Sequence, residues 1–279
     1  MNDRVPPPVL YHYTTPKSLL GILKDRALRA TKIRYFSDSC ELIGPLRIAL
    51  DILRQREEES GLADAQKEMI RVTRLFVDDS RNINIPVVSF TAQGDAEHLW
   101  DELADGGSGY AMGLGSGKLC PRGYPLTLRQ CEYADADTQR DKIQKLIALE
   151  LDGATPTGQP PLYFRLMTMA LCMKNEPFAA EDEWRLVPCS CHWADLLNYT
   201  YWTCRFRAER RGLIPYWPLP IDLSAITEII VGPALDPELA VDGVNALIHR
   251  FQLSKAVQIR VSKRRVPQSA DGMLNSPVK

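Results

Sequence analysis

The chain has 279 residues, 45% hydrophobic and 25% charged, with a formal net charge of −1. That balance leaves no bulk basic field to gather nucleic acid, and no run approaches the ~18 apolar residues of a membrane helix. The opening residues lack an apolar signal core, and the seven cysteines are odd in number and scattered. The expectation is therefore a soluble, cytoplasmic protein with reduced thiols and no membrane partner.

Leu10-Tyr11-His12-Tyr13-Thr14 is a short aromatic and β-branched run that reads as a strand. Alternation puts Leu10, His12 and Thr14 on one face, Tyr11 and Tyr13 on the other. His12 reads either as a satisfied core histidine or as an imidazole delivered to a small polar ligand. Thr15 then caps a helix with Pro16 at its first position, buried along Leu19, Ile22 and Leu23. Ala30 to Asp38 reads as a second strand carrying Arg34 and Tyr35. Cys40 to about Arg56 and Leu62 to about Asp78 read as two long amphipathic helices joined by a solvated charge run. Ile85 to Thr91, with Ser89, is a strand, followed by a short helix holding His98-Leu-Trp100. The glycines from Asp105 to Gly115 match neither G-x-G-x-x-G nor the Walker spacing and read as a turn entering a strand.

Further on, Leu126 to Tyr133 is a strand, Asp137 to Leu151 a helix, residues 153–161 a loop and Leu162 to Lys174 an apolar helix. Glu183 to Val187, Tyr199 to Arg207 and Ile226 to Val231 are strands, and Pro237 to Phe251 is a helix. Val257 to Ser262 is expected to close the core, and the polar tail after Arg265 to be disordered. Helices cluster early and strands late, which argues for an α+β fold. Cys189-Ser-Cys191-His192 lacks the second ligand pair that a tetrahedral zinc site needs, so no metal is expected.

Glu181-Asp-Glu183-Trp184-Arg185-Leu186 is the other chemistry-bearing segment. Alternation puts Glu181, Glu183 and Arg185 on one face, with Trp184 and Leu186 opposite. Two carboxylates and a guanidinium projecting together are costly in a core unless paired. They read either as a salt bridge at a sheet edge or as a carboxylate kept charged by Arg185 and aimed into a cleft.

Taken together, Leu10-Tyr-His-Tyr-Thr14, Leu20-Gly-Ile-Leu23, Ala30-Thr31, Phe36-Ser-Asp38-Ser-x-Glu41, Val88-Ser89-Phe90-Thr91, Leu99-Trp100, Asp105-Gly-x-x-Gly109, Glu181-x-Glu183-Trp184-Arg185 and Ile229-Ile-Val-Gly232-Pro233 form an ordered set. The set resembles the bacterial domain-of-unknown-function family 2971, from Val9 to about Ser262. The opening also resembles the first motif of ADP-ribosyltransferases of the diphtheria-toxin and poly-ADP-ribose-polymerase type. The resemblance implies one catalytic-type α+β domain over residues 9–265, between an N-terminal extension (1–8) and a tail (266–279). It implies mixed and antiparallel sheets forming a central cleft, with a helical insertion at about 40–80 after the second strand.

It further implies NAD as a substrate and a macromolecular acceptor, protein or nucleic acid, in the manner of a bacterial toxin or phage-defence effector. His12 would hold a ribose of NAD and Thr14 would seat the cofactor, with Tyr13 where glycine is usual. Tyr35 or Tyr110 would stack on nicotinamide. Glu183 would be the catalytic glutamate, with Glu181 as its rival and Arg185 beside it. Arg34 is either a phosphate ligand or an exposed arginine. Ser89 and Trp100 would line the cleft, Trp100 being otherwise a core residue, and Asp38 with Glu41 would be no more than a helix cap. Two alternatives differ in kind: a non-catalytic interaction module on the same scaffold, and a nucleic-acid-binding or -cleaving protein using Arg205-Phe-Arg207, Arg210-Arg211 and Lys263-Arg264-Arg265.

Overall fold

The computed structural model describes residues 4–35, 40–79, 85–120, 126–188, 204–209 and 212–264. The chain opens with β1 (Val9–Thr14), α1 (Pro16–Asp25) and β2 (Ala27–Lys32). The Thr15 hydroxyl accepts the Ser18 N–H at 3.2 Å and Pro16 occupies the first turn, where its missing N–H costs nothing. Arg26 ends α1 in the left-handed conformation, and β2 starts three residues earlier than the sequence expectation. After Lys32 the chain turns into a 3-10 segment, Ile33–Tyr35, so Arg34 and Tyr35 are not on a strand.

Next come α2 (Cys40–Glu57), α3 (Asp64–Asp79), β3 (Pro86–Thr91), α4 (Glu97–Leu103) and β4 (Tyr110–Gly115). They are followed by β5 (Leu126–Gln130), β6 (Glu132–Tyr133), α5 (Ala136–Leu151), α6 (Leu162–Leu171), β7 (Met173–Lys174) and β8 (Glu183–Pro188). The chain ends with β9 (Arg205–Glu209), β10 (Gly212–Pro220), β11 (Ile226–Val231), α7 (Pro237–Arg250) and β12 (Gln258–Val261). Residue 174 thus belongs to a short strand rather than to the end of a helix.

The fold is α+β. Among the described residues, the main sheet runs β12-β11-β4-β1-β3-β2-β10-β9, with β8 on β3 and β5 on β8. Its pairings are antiparallel except for β11 with β12, which α7 joins as a single βαβ unit. β12 is an edge strand with mostly exposed side chains, and the 257–262 segment meets the core through Val257 and, in part, Ile259.

Among the described residues two large hydrophobic cores flank the sheet, and a smaller one gathers Tyr13, Leu99, Trp100 and Ile230 around α4. In the first, Leu19, Ile22 and Leu23 of α1 and Val244 of α7 pack against Leu10, Phe90, Trp184, Leu186 and Trp217. In the second, α2, α3, α5 and α6 pack together with Val87 and Val187. The helices inserted at 40–79 are therefore sealed by helices from later in the chain. Alternation sends Val87 and Val187 to one core and Val88, Trp184 and Leu186 to the other. Among the described residues no helix is long and apolar enough to cross a membrane.

The feature that creates the site is a fork in the sheet. On one edge β3 is paired along its length with β8, from Val88↔Leu186 to Thr91↔Glu183. On the other edge β2 pairs only at Val87 and Pro86, while β1 pairs only at Thr91. The two strands diverge, and among the described residues the β3 segment 88–90 has no strand neighbour on that side.

Candidate functional site

The fork is occupied by a cavity of about 270 Å3. β1 contributes Tyr11, His12 and Tyr13, β2 contributes Arg29 and Thr31, and β3 contributes Val87 to Thr91. Lys174, Phe178, Glu181, Glu183 and Arg185 come from the β7–β8 region, Arg207 from β9, and Tyr35 together with Leu99, Glu102 and Leu103 of α4 completes the wall. His12 and Glu183, 171 positions apart in the chain, thus share one pocket.

His12 replaces the missing strand. Its Nδ1 lies 3.0 Å from the Ser89 carbonyl, an oxygen that only accepts, so Nδ1 carries the hydrogen. Burial lowers the imidazole below its ordinary 6.5, against the raising effect of the Ser89 carbonyl, and the Arg207 guanidinium pushes it further down. The ring is neutral at neutral pH, and Nε2 is a lone-pair acceptor.

Glu183 sits at the start of β8 and is only 5% exposed; Arg185 is fully buried. The Arg185 fork donates to both carboxylate oxygens, Nε to Oε1 and Nη2 to Oε2, each at 2.8 Å. Lys174, 4% exposed, donates to Glu183 Oε2 at 2.9 Å and to Glu181 Oε2 at 2.5 Å. Burial alone would raise the Glu183 carboxyl; Arg185 chiefly, and Lys174 with it, carry it down to about 2. Ser89 is close enough to assist, but among the described residues its buried hydroxyl makes no hydrogen bond of ordinary geometry. Three bonds to a carboxylate with about four acceptor positions leave room for one more donor. Glu183 is held charged, oriented and incompletely saturated.

Glu181 reaches this cluster by a different route from the one alternation suggests. It ends a 3-10 segment, Glu176–Glu181, and Asp182 follows in the left-handed conformation at φ 41°, so Glu181 is out of register with β8. Glu183 and Arg185 do share a face, with Trp184 and Leu186 in the core behind them.

The other sequence candidates separate cleanly. Tyr13, Ser89, Tyr35 and Arg185 line the cavity, whereas Thr14, Trp100 and Tyr110 do not. Thr14 is 4% exposed and flanked by Gly109, where a Cβ would come within 2.3 Å of the Thr14 carbonyl. Trp100 is a core residue at 1% exposure: it donates to Asp95 at 2.8 Å and meets the Tyr13 ring edge-on at 4.8 Å. Tyr110 lies between Thr14 and Val231 in the sheet. Tyr35 is half exposed at the cavity, which leaves it as the aromatic of the two candidates in position. The Arg34 side chain, Asp38, the Glu41 side chain and the Cys189–His192 cluster lie outside the described residues. So do the tail from 265 and the Arg210-Arg211 pair. Arg29, Thr31, Lys174 and Phe178 were not among the sequence candidates, and Arg207 entered only as part of a basic cluster for nucleic acid, not as a residue of this cavity.

A larger cavity, about 760 Å3, is lined by Arg129, Cys131, Tyr133, Lys142, Cys172 and Asp182 among others. Its lysines are engaged, Lys142 with Glu132 and Lys145 with Asp141. Burial raises the Cys131 and Cys172 thiols, Cys172 to about 11, so neither supplies a thiolate at neutral pH. The smaller cavity is the better candidate because charged and hydrogen-bonding groups converge in it.

No protein-family model, curated protein or solved structure matches the chain. The chemistry therefore has to be argued from the site. Among the described residues no group of three or more metal-ligating side chains comes together. The two basic clusters of the nucleic-acid alternative fall at opposite ends of the sheet: Arg205 and Arg207 are on β9, while Lys263 and Arg264 follow β12.

Proposed function

We propose that the protein is an NAD-consuming, ADP-ribosyltransferase-like enzyme that passes ADP-ribose to a macromolecular acceptor, a chemistry suited to a bacterial toxin or phage-defence effector. The observation that carries the reading is the meeting of His12 and Glu183 in one cavity of the forked sheet. Neutral His12 supplies an acceptor for a ribose hydroxyl. Glu183 accepts a second hydroxyl and places negative charge where the sugar becomes cation-like. Tyr35 offers a ring for the nicotinamide to lie on. In the reaction the glycosidic C–N bond breaks, its electron pair leaves with nicotinamide, and the acceptor's nucleophile bonds to the sugar carbon and loses its proton. A preorganised charge of this kind is worth about 3 kcal/mol of barrier, or 10²–10³ in rate.

One observation favours a second reading, a non-catalytic NAD-binding module. Arg185 and Lys174 balance the Glu183 carboxylate and weaken its field at a developing cation. Nicotinamide release separates the two. The transferase reading expects wild-type protein to release nicotinamide from NAD, and His12→Ala to lower kcat by about 10²-fold. Glu183→Gln should lower release by about 10²–10³-fold; because it strips a buried ion cluster, its melting curve must be recorded alongside. Tight NAD binding without any release would move the protein to the second reading, and absence of both would overturn the two together.

A further inference from the structure

The wall facing His12 carries two guanidinium groups. Arg29 of β2 and Arg207 of β9 line the cavity from opposite sides of β10 in the sheet order. Arg207 donates to the Thr31 hydroxyl at 2.9 Å and acts electrostatically on His12.

Arg29 is held flat. Its guanidinium lies 5.4 Å from the centre of the Tyr216 ring, and on the α1 side it occupies the space a side chain at residue 21 would need. A Cβ on Gly21 would fall 2.1 Å from Arg29 Nη2 and 3.0 Å from Cζ. Gly21 is thus the gap into which the guanidinium fits. Among the described residues no carboxylate pairs with Arg29, and its buried Nε–H has no acceptor. A partly buried cation without a counter-ion is costly. Arg185 and Lys174 already have theirs in Glu183 and Glu181. Glu102, the remaining carboxylate of the wall, is exposed on α4.

We infer that Arg29, seated on Gly21 and Tyr216 and assisted by Arg207, is a phosphate-binding subsite that takes the phosphate of a nucleotide whose sugar lies toward His12 and Glu183. A planar guanidinium held in place is suited to two parallel hydrogen bonds to a phosphate. A carboxylate ligand is the weaker alternative, because two cations converge here. The inference rests on the proposed function for the nucleoside part of the ligand; the anion subsite stands on the geometry of Arg29.

The test compares nicotinamide mononucleotide with nicotinamide riboside, which differ by one phosphate, and adds inorganic pyrophosphate. Titration calorimetry of the full chain should show the mononucleotide and pyrophosphate binding, and the riboside binding about tenfold or more weaker than the mononucleotide. Arg29→Gln should remove that preference and leave riboside binding unchanged. Arg207→Gln should reduce the preference in part, and Gly21→Val should act as Arg29→Gln does, by displacing the guanidinium. Equal affinity for the mononucleotide and the riboside in wild type, an unchanged preference in Arg29→Gln, or no binding of either phosphate probe would overturn the subsite. Mononucleotide binding of the expected pattern with NAD left uncleaved would retire the transferase reading and keep the subsite. Cleavage of NAD with an unchanged KM in Arg29→Gln would do the reverse.

Discussion

At the scale of single residues, ionisation does the deciding. Glu183 is depressed to about 2 from its ordinary 4.5, so its ion cluster contributes stability that is fully present above pH 4.5 and is lost as pH falls toward 2. His12 is lowered from 6.5, so the unfolded chain binds the extra proton and stability also declines as pH drops below 6.5. Both act in one direction: acid melts the protein in two stages, the histidine's first. Thermal melts from pH 8 to 3 should show Tm level down to about pH 6.5 and falling below it, with the first stage absent in His12→Gln. A Tm that rises on acidification contradicts both assignments. Removing Arg185 strands the Glu183 charge in the interior, and Arg185→Met should cost about 3–5 kcal/mol of unfolding free energy by denaturant titration. Trp100 makes a contrasting case. It was a cleft candidate, its rank among the most buried side chains makes it structural, and Trp100→Ala should cost about 3–5 kcal/mol without touching ligand affinity at the cavity.

Secondary-structure elements differ in how far the sequence disclosed them. Helices with a capping side chain were plain: Thr15 for α1, Asp135 for α5 and Asp236 before Pro237 for α7 each accept a backbone N–H at their helix start. β10 was not foreseen, because Pro215, Pro218 and Pro220 argue against a strand in the middle of a sheet. The structure shows how they are tolerated. β9 pairs with residues 212–216 and β2 with residues 216–220, so Pro215 and Pro218 each have a neighbour on one edge only. Starting β2 at Ala30 rather than Ala27 hid Arg29, although the alternation of Arg29 with Thr31 would have put both on one face. Lys174 was hidden by running α6 three residues too far. Glu181 was misplaced because a left-handed residue breaks the alternation that a straight strand would keep.

For the whole molecule, the pairing of an early histidine with a late glutamate was implied by the resemblance alone, whereas the α+β class was legible in the order of helical and extended segments. The fork was not. It depends on where β1 and β2 leave β3, a property of long-range pairing that no single segment carries. The cavity draws on strands from His12 to Arg207, together with Tyr35 and Glu102. Ligand affinity and global unfolding should therefore be lost together on heating, with no fragment retaining the site.

The contact between the His12 ring and the Ser89 carbonyl has one more consequence. The nitrogen that touches the strand bears hydrogen in either charge state, so acidification need not release the ring from its seat. Only the outer nitrogen changes character, from a lone pair to an N–H. The same scaffold then offers sugar hydroxyls an acceptor at neutral pH and anions a third positive donor in acid, a reversal of taste without a change of shape.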